Sequence, residues 1–390
     1  SSSQSAHIQV AISELRCQVP PGVLTMGAER VRLTWRAEPA SDGLHQLAYE
    51  CEVATSSDFA EVLASTGPVE AADQVAVPAP GPRLRSREVR YHRVRIRTEA
   101  GWTDWSPTLR VEAGLLEPSD WIAKAVTLPG DPGRERPSPS PVLRREFEIA
   151  GAVVSARLHA TSLGLHRLTL NGQPVTEDLL APGWTAYRHR LLAEAYDVTE
   201  LLASGANVLL ATLGDGWYRG RLGWTPGRDR GHYGSDVALI AQLEVEFADG
   251  TRQVIASDET WSATTAEIRA ADLYDGSDID LRAALIGCER PDYDASGWLS
   301  ALVVPADLAR IEPRRAEPVR VVEILQPTRE TVQGGRTLRL DGGQNIAGFV
   351  RLRVRGSRGV RVAVRHAEVL EPDGSLHTRS LRSARATDTY

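Results

Sequence analysis

Residues 170–224 read LNGQPVTEDLLAPGWTAYRHRLLAEAYDVTELLASGANVLLATLGDGWYRGRLGW and hold the clearest local signals of the chain. Asn171-Gly172 stands between two strand-like runs, and this dipeptide is the strongest short-range signal for a two-residue hairpin turn. Asp249-Gly250 repeats the pattern further along the chain. The central part of the protein is therefore predicted to be antiparallel β-structure.

Alternation of apolar and charged residues predicts an earlier sheet that has one buried face. Three arginines alternate with apolar or small residues along this segment: His92, Arg93, Val94, Arg95, Ile96, Arg97 and Thr98. Because successive side chains of a strand point to opposite faces, the arginines are expected to face solvent. An anion-binding arginine stripe is the alternative. Trp102 and Trp105 follow and are expected to pack rather than to offer a sugar platform.

The whole chain is predicted to be all-β, as tandem antiparallel sandwiches. Short strands and proline-rich turns in residues 1–116 favour a sandwich of the immunoglobulin or fibronectin type III kind. Residues 117–140 form a proline-rich joint, and residues 141–312 form a second sandwich. Residues 313–390 begin a third one-sided sheet, which is expected to be incomplete and to leave an unpaired edge or an exposed apolar face.

Composition excludes several classes of protein. The chain has 390 residues, of which 51 are acidic and 45 are basic, and its formal net charge is −6. The charges are spread without long runs, so neither a nucleic acid nor a membrane is expected as a partner. No segment reaches the roughly 18 to 20 apolar residues that a membrane helix needs. No signal peptide is recognisable, and a cytoplasmic and a periplasmic location both stay open.

Two passages carry a family resemblance. Residues 170–224 resemble the amino-terminal β-sandwich of bacterial α-L-rhamnosidases, and their segment from Tyr196 to Asn207 recurs in galactose-binding-like jelly rolls. Residues 341–356 (DGGQNIAGFVRLRVRG) and 364–390 are similar to the concanavalin-like domain that precedes the catalytic domain in that family. The first segment fits the same family, which often begins with a fibronectin-like domain.

The resemblance implies a parent enzyme that hydrolyses terminal α-L-rhamnosyl groups with inversion. Complete members use an (α/α)6 barrel in which one carboxylic acid protonates the leaving oxygen and a second activates water. The signature loop of that barrel does not occur in this sequence, so no catalytic residue is assigned. The chain alone is predicted to be inactive. Its expected work is to support the catalytic barrel, which is missing or present as another chain, to shape its rim and to hold a rhamnosylated glycoside.

A sugar-binding surface is predicted in the second sandwich. Aromatic rings stack on the apolar faces of pyranosides, while carboxylates bind the hydroxyl groups. The alternative for Trp217 and Trp224 is simple packing between sheets. The sugar-binding candidates are Trp184, Tyr187, Asp215, Trp217, Tyr218, Trp224 and Tyr233.

No cofactor is required by this interpretation, but the resemblance makes calcium possible. Some rhamnosidases carry a calcium-dependent rhamnose-binding module similar to the second sandwich, and Asn171, Asp178 and Asp215 are the conceivable ligands. Gly183-Trp184 offers no side-chain oxygen in the loop where a ligand is expected first.

A separate acidic cluster lies in the segment where the family's Gly-Glu-x-Tyr-Asp-Ala-Arg motif is expected. This chain instead has GSDIDLR at residues 276–282. The acids of the cluster lack the spacing of a calcium loop, and they are expected to be solvated loop residues rather than catalysts. They are Asp272, Asp275, Asp278 and Asp280.

Two other functions remain as alternatives. One is a free-standing carbohydrate-binding (rhamnose-binding) β-sandwich protein, which needs no barrel. The other is a protein-interaction module built from immunoglobulin-like sandwiches, which needs an exposed apolar patch. Rhamnose binding distinguishes the first alternative from the second.

Overall fold

The computed structural model describes residues 10–38, 45–133, 135–223, 229–331 and 337–390. Within these residues the strands form three groups, called here the first, second and third units. Helical structure in the described ranges consists of one short α-helix and a few single 3-10 turns. The predicted all-β class is confirmed.

The first unit consists of two antiparallel sheets. Its strands are β1 (Ala11–Cys17), β2 (Arg32–Glu38), β3 (Ala48–Ala54), β4 (Val62–Ser65), β5 (Val77–Pro78), β6 (Val89–Thr98), β7 (Gly101–Trp102) and β8 (Leu109–Glu112). One sheet has the order β1-β2-β5, and the other has the order β4-β3-β6-β7 with β8 also paired to β6. Leu33 and Trp35 of the first sheet pack against Cys51, Val94 and Ile96 of the second.

Strand β6 has the two faces that its sequence predicts. Val94 and Ile96 are buried, whereas Arg93 and Arg95 lie on the outer face. The outer arginines stack on aromatic rings: the Arg95 guanidinium carbon lies 4.7 Å from the centre of the Trp105 ring. Each also binds a glutamate of β3, with 2.6 Å between Arg93 Nη2 and a carboxylate oxygen. The tryptophans of this segment are therefore packed against arginines.

The second unit is a sandwich of a six-stranded and a seven-stranded sheet. The strands that follow along the chain are β9 (Ala125–Thr127), β10 (Pro141–Ile149), β11 (Val153–Leu163), β12 (Leu165–Leu170), β13 (Gln173–Pro174), β14 (Leu191–Asp197), β15 (Gly205–Gly214), β16 (Ala238–Phe247), β17 (Arg252–Ala256), β18 (Ser262–Thr265), β19 (Ile268–Asp272), β20 (Gly276–Ile279), β21 (Leu299–Ser300), β22 (Leu302–Val304) and β23 (Ile311–Pro313). All of them except β19 and β20 belong to this sandwich. The orders are β13-β12-β15-β10-β18-β21 and β22-β9-β16-β11-β14-β23, with β17 beside β16. Trp261, Leu158 and Leu209 lie in the core between the two sheets.

Both predicted hairpins form. The turn between β12 and β13 places Asn171 at φ 52° and Gly172 at φ 79°, as a two-residue turn of the hairpin type requires. Gly250, between β16 and β17, also has a positive φ of 82°. These turns set the register of the strands on either side.

The second unit begins earlier than the predicted boundary at Pro141. Strand β9 pairs with β16 and β22, and its Ala125 and Val126 are buried. A 3-10 turn at Pro118–Asp120 precedes it. Part of the predicted joint therefore belongs to the sandwich, because its short apolar run completes the seven-stranded sheet.

The short helices occur in the connections. The α-helix, α1, spans Gly216–Arg219. The 3-10 turns beyond the first one lie at Thr199–Leu201, Leu281–Ala283, Leu308–Arg310 and Arg379–Leu381.

The third unit combines β19 and β20 with strands from the end of the chain. The last strands are β24 (Thr328–Thr331), β25 (Leu338–Asp341), β26 (Ala363–Arg365) and β27 (Thr387–Thr389). Strands β26 and β27 join β19 and β20 in a sheet of the order β19-β20-β27-β26. Within the described residues, β24 pairs only with β25. The alternating segment at residues 350–354 is not a strand, and Val350 and Val354 are exposed. Among the described residues this segment has no partner strand to cover its apolar side chains.

Candidate functional site

The predicted aromatic candidates that the structure describes form one group at the end of the second unit. The indoles of Trp184 and Trp217 are stacked, with 5.8 Å between ring centres and 8° between planes. Tyr187 meets Tyr218 and Tyr233 edge to face, at 5.3 and 4.9 Å between ring centres. These five residues are called the aromatic cluster below. Trp224, also predicted, lies outside the described residues.

Local backbone structure explains how the cluster forms. Trp217 and Tyr218 lie on α1, directly after β15. Gly216 begins this helix with a φ of +53°, and a Cβ there would lie only 2.6 Å from Leu165 Cγ. A residue with a side chain at this position would therefore clash with Leu165 and have a strained backbone conformation. Trp184 and Tyr187 come from the loop before β14, where the Tyr187 hydroxyl donates a hydrogen bond of 2.9 Å to the Gly183 carbonyl.

The aromatic cluster has a buried base and an open rim. Tyr187 is only 4% exposed, whereas Trp184 is 47% exposed. Burial raises the pKa values of the Tyr187 and Tyr218 phenols, so both stay neutral in the physiological range. The group thus offers an accessible indole and neutral phenol groups, a combination suited to an uncharged polyhydroxylated ligand.

Asp215, the predicted acidic member of the site, lies behind the cluster. It is 6% exposed, one of its oxygens accepts a 2.7 Å hydrogen bond from Arg219 Nε, and the other binds Arg230. Arg219 also reaches Asp131, with 2.5 Å between Nη1 and a carboxylate oxygen. Both carboxylate oxygens of Asp215 are therefore used to hold α1 in place.

Each acid of the predicted acidic cluster binds an arginine. Asp272 is buried, whereas Asp278 and Asp280 remain partly exposed to solvent, as the sequence predicts. The carboxylate of Asp272 lies 3.1 Å from Arg230 Nη1, and that of Asp275 lies 2.6 Å from Arg221 Nη1. In addition, Asp278 binds Arg385 at 3.0 Å, and Asp280 binds Arg282 at 2.8 Å. The pairs of Asp272 and Asp275 connect the loop after α1 to β19 and to the turn that follows β19 in the third unit.

Sequence reasoning missed the arginines of this network. Arg219 follows Asp215 by four positions, and residues at this spacing are neighbours on a helix. This pair could therefore have been predicted if a helix had been expected here. Asp131 lies 88 positions before Arg219, so no local pattern indicates their contact.

The three conceivable calcium ligands have other partners in the structure. The Asn171 amide donates to Asn207 Oδ1 at 2.8 Å, and Asp178 accepts from Arg320 Nε at 2.6 Å. Asp215 binds its two arginines. Across the described parts of the chain, no group of three or more His, Cys, Asp or Glu residues is placed to hold a metal ion. Calcium binding stays a prediction.

Family profiles match all three units in order. Residues 12–117 match the profile described as Rha78A-like, N-terminal immunoglobulin domain. Residues 151–323 match the alpha-L-rhamnosidase N-terminal domain, and residues 331–390 match the bacterial alpha-L-rhamnosidase concanavalin-like domain. The chain belongs to the bacterial α-L-rhamnosidase family. Its described units are thus those of the amino-terminal part of an α-L-rhamnosidase.

Individual rhamnosidases agree with this assignment. An α-L-rhamnosidase of Streptomyces avermitilis is 42% identical over 305 residues, which are 76% of this chain and 29% of the relative. The crystal structure of the Aspergillus terreus α-L-rhamnosidase matches with a TM-score of 0.90 and 34% identity, over 97% of this chain and 44% of that one. A Streptomyces avermitilis α-L-rhamnosidase complexed with L-rhamnose matches with a TM-score of 0.92 and 27% identity, over 98% and 53%.

This rhamnosidase-family chain spans only part of the length of the relatives that it matches. It spans 29% of the length of the first curated relative and 40% of the second. Among the described residues, no helix has both the length and the apolar character needed to cross a membrane.

Proposed function

We propose that this chain is the substrate-holding amino-terminal part of an α-L-rhamnosidase that hydrolyses terminal α-L-rhamnosyl groups with inversion. The observation that carries the proposal is the aromatic cluster, which sits on a unit that matches the family's N-terminal domain. A deoxy sugar such as rhamnose has an apolar face and a methyl group, and both suit the exposed Trp184 indole.

Inverting hydrolysis needs two free carboxyl groups roughly 6.5–9.5 Å apart. Near the aromatic cluster, Asp215, Asp272 and Asp275 are all bound to arginines. This pairing supports a division of labour in which the cluster retains the glycoside and a catalytic domain elsewhere in the enzyme supplies both acids. Retention close to that domain raises the local substrate concentration.

Exposed apolar side chains of the third unit also support the proposal that a catalytic domain lies elsewhere in the enzyme. Val322 is 97% exposed and Phe349 is 67% exposed, which is unusual for residues of this type. In the proposed enzyme they pack against the rest of the polypeptide.

Calorimetric titration of the chain with L-rhamnose tests the proposal. We expect binding, and we expect Trp217→Ala to weaken it by about tenfold because the stacked indole pair is lost. The matched control is Trp102→Ala, which removes a tryptophan of the first unit and should leave the affinity unchanged. With an aryl α-L-rhamnoside as substrate, the chain alone should release no aglycone. Equal affinities of both variants, or hydrolysis by the chain alone, would contradict the proposal.

A further inference from the structure

A cavity of about 300 Å³ lies on the outer face of the six-stranded sheet of the second unit. Its floor is formed by Val142 and Thr212, which face each other on β10 and β15, and by Leu210. Residues 284–289 form its roof. The volume is at the lower end of the range of small-molecule sites, and no residue of the aromatic cluster lines it. We call it the sheet cavity.

The roof of the sheet cavity is held by a buried charge. Arg144 is 6% exposed, and its guanidinium donates to the carbonyl oxygens of Cys288 at 2.9 Å and Arg290 at 2.8 Å. The same guanidinium is neutralised by Glu146 at 2.9 Å. Because these bonds fix the roof to β10, the cavity is formed before any ligand arrives, and the Arg144 charge is balanced by Glu146.

Polar side chains without partners line this cavity. Ser140 is only 5% exposed, yet its hydroxyl makes no hydrogen bond to any residue that the structure describes. The same holds for the side chains of Thr212, Glu267 and Glu289 within the described chain. Both glutamates approach the Cys288 thiol, whose pKa is raised to about 11 by burial and by these two charges. Among the described residues, neither Glu267 nor Glu289 has an ion-pair partner, so no salt bridge occupies their carboxylates at this cavity.

The arrangement selects a class of ligand. The alternative ligand is an ammonium ion. It is a compact hydrogen-bond donor that would bind only the two carboxylates and leave the hydroxyl groups of Ser140 and Thr212 without a partner. Four polar groups beside the apolar side chains of Val142 and Leu210 instead match a ring that carries several hydroxyl groups on its edge and an apolar face. We propose that the sheet cavity is a second carbohydrate site that binds one neutral deoxypyranoside ring, with its hydroxyl groups donating to Glu267 and Glu289. This site goes beyond the proposed function, which rests on the aromatic cluster.

Methyl-detected NMR of the chain, labelled at isoleucine δ1 methyl groups, can follow both sites in one titration with methyl α-L-rhamnopyranoside. Ile268 and Ile286 line the sheet cavity, whereas Ile240 and Ile311 pack in the hydrophobic group that includes Trp217. We expect saturable shifts of the Ile268 and Ile286 signals. If the Ile240 and Ile311 signals do not respond, that result contradicts the proposed function of the aromatic cluster but not the inference about the sheet cavity.

The double variant Glu267→Gln/Glu289→Gln keeps the shape of the cavity and removes its charge. Hydrogen bonds to carboxylates are stronger than those to amides, so we expect the Kd reported by Ile268 and Ile286 to rise by about tenfold or more. The response of Ile240 and Ile311 should be unchanged in this variant, whereas Trp217→Ala should change only that response.

Three results would overturn the inference. The first is the absence of shifts at Ile268 and Ile286 at saturating glycoside. The second is an equal Kd in the double variant, provided that its spectrum shows the native fold. The third is a stronger response to butylammonium than to the glycoside, which would make the cavity a cation site.

Discussion

His92, His159 and His166 are buried histidines that lie in the cores of the first two units. Burial lowers the pKa of each to about 4. His166 accepts or donates one hydrogen bond, with 2.9 Å between its Nδ1 and Ser162 Oγ, and His159 packs against the Trp121 ring. Both ring nitrogens of His92 lack a partner within the described chain. These side chains are therefore held neutral in the folded protein.

The pH dependence of stability follows from these histidines. The unfolded chain takes up their protons near pH 6.5, whereas the folded chain resists protonation until about pH 4. Their contribution to the free energy of unfolding is thus complete above pH 6.5 and is lost as the pH falls towards 4, by up to about 3 kcal/mol for each histidine. Thermal melts between pH 8 and pH 4 measure the loss.

The variant His92→Leu isolates one of these groups. It removes two buried nitrogens without partners and should raise the free energy of unfolding at pH 7 by about 1 kcal/mol. The same variant should also lose less free energy of unfolding between pH 6.5 and pH 4 than the unmodified chain does. A melting temperature that stays constant from pH 6.5 to pH 4.5 in the unmodified chain would show that the buried histidines do not govern acid stability.

At the scale of elements, helix α1 shows how a short element depends on distant contacts. Four residues are too few for a stable isolated helix, so α1 persists because of its surroundings. Asp215 binds Arg219 of this helix and Arg230 of the following loop, and Arg219 is 1% exposed. Trp217 and Tyr218 are oriented by the same helix. The aromatic cluster is therefore positioned by a buried ion-pair network.

We predict that Asp215→Asn destabilises the chain by about 3 kcal/mol, because two buried guanidinium groups lose their shared carboxylate. It should also weaken rhamnose binding and change the near-ultraviolet circular dichroism of the tryptophans. The matched control is Asp280→Asn, whose carboxylate binds the exposed Arg282 and whose removal should not change the melting temperature. If both variants melt at the temperature of the unmodified chain, the network does not position the helix.

At the scale of the whole molecule, stability is distributed unevenly among the units. The first two units enclose extensive buried cores. They are joined by Arg87, which contacts Glu244 at 2.7 Å and Asp120 at 3.0 Å. In the described part of the third unit, β24 pairs only with β25, and many apolar side chains are exposed. Such a surface favours association when nothing covers it.

The isolated chain should therefore associate in a concentration-dependent manner. Sedimentation velocity should report a weight-average mass above that of one chain, and the double variant Val322→Ser/Phe349→Ser should shift it towards the monomer. These two positions are chosen because they are 97% and 67% exposed. A monodisperse monomer over the whole concentration range would contradict the prediction.

The β character of the chain, its hairpins and its family could all be predicted from local patterns of residues. Alternation along β6 depends only on neighbouring residues, and Asn171-Gly172 imposes its turn through local backbone sterics. Family membership is likewise carried by contiguous motifs. Each aromatic residue of the cluster could be named as a candidate because its residue type can be read without knowledge of the residues that it contacts.

The contacts between distant side chains could not be predicted from local patterns and became visible in the folded chain. Asp131 and Arg219 are 88 positions apart, and Arg385 reaches Asp278 across 107 positions. The free glutamates of the sheet cavity, Glu267 and Glu289, were likewise not singled out from sequence. An ion pair between distant residues, or its absence, depends on how the strands are ordered in the sheets. Local patterns do not encode that order, because it results from the burial of whole sheet faces against one another.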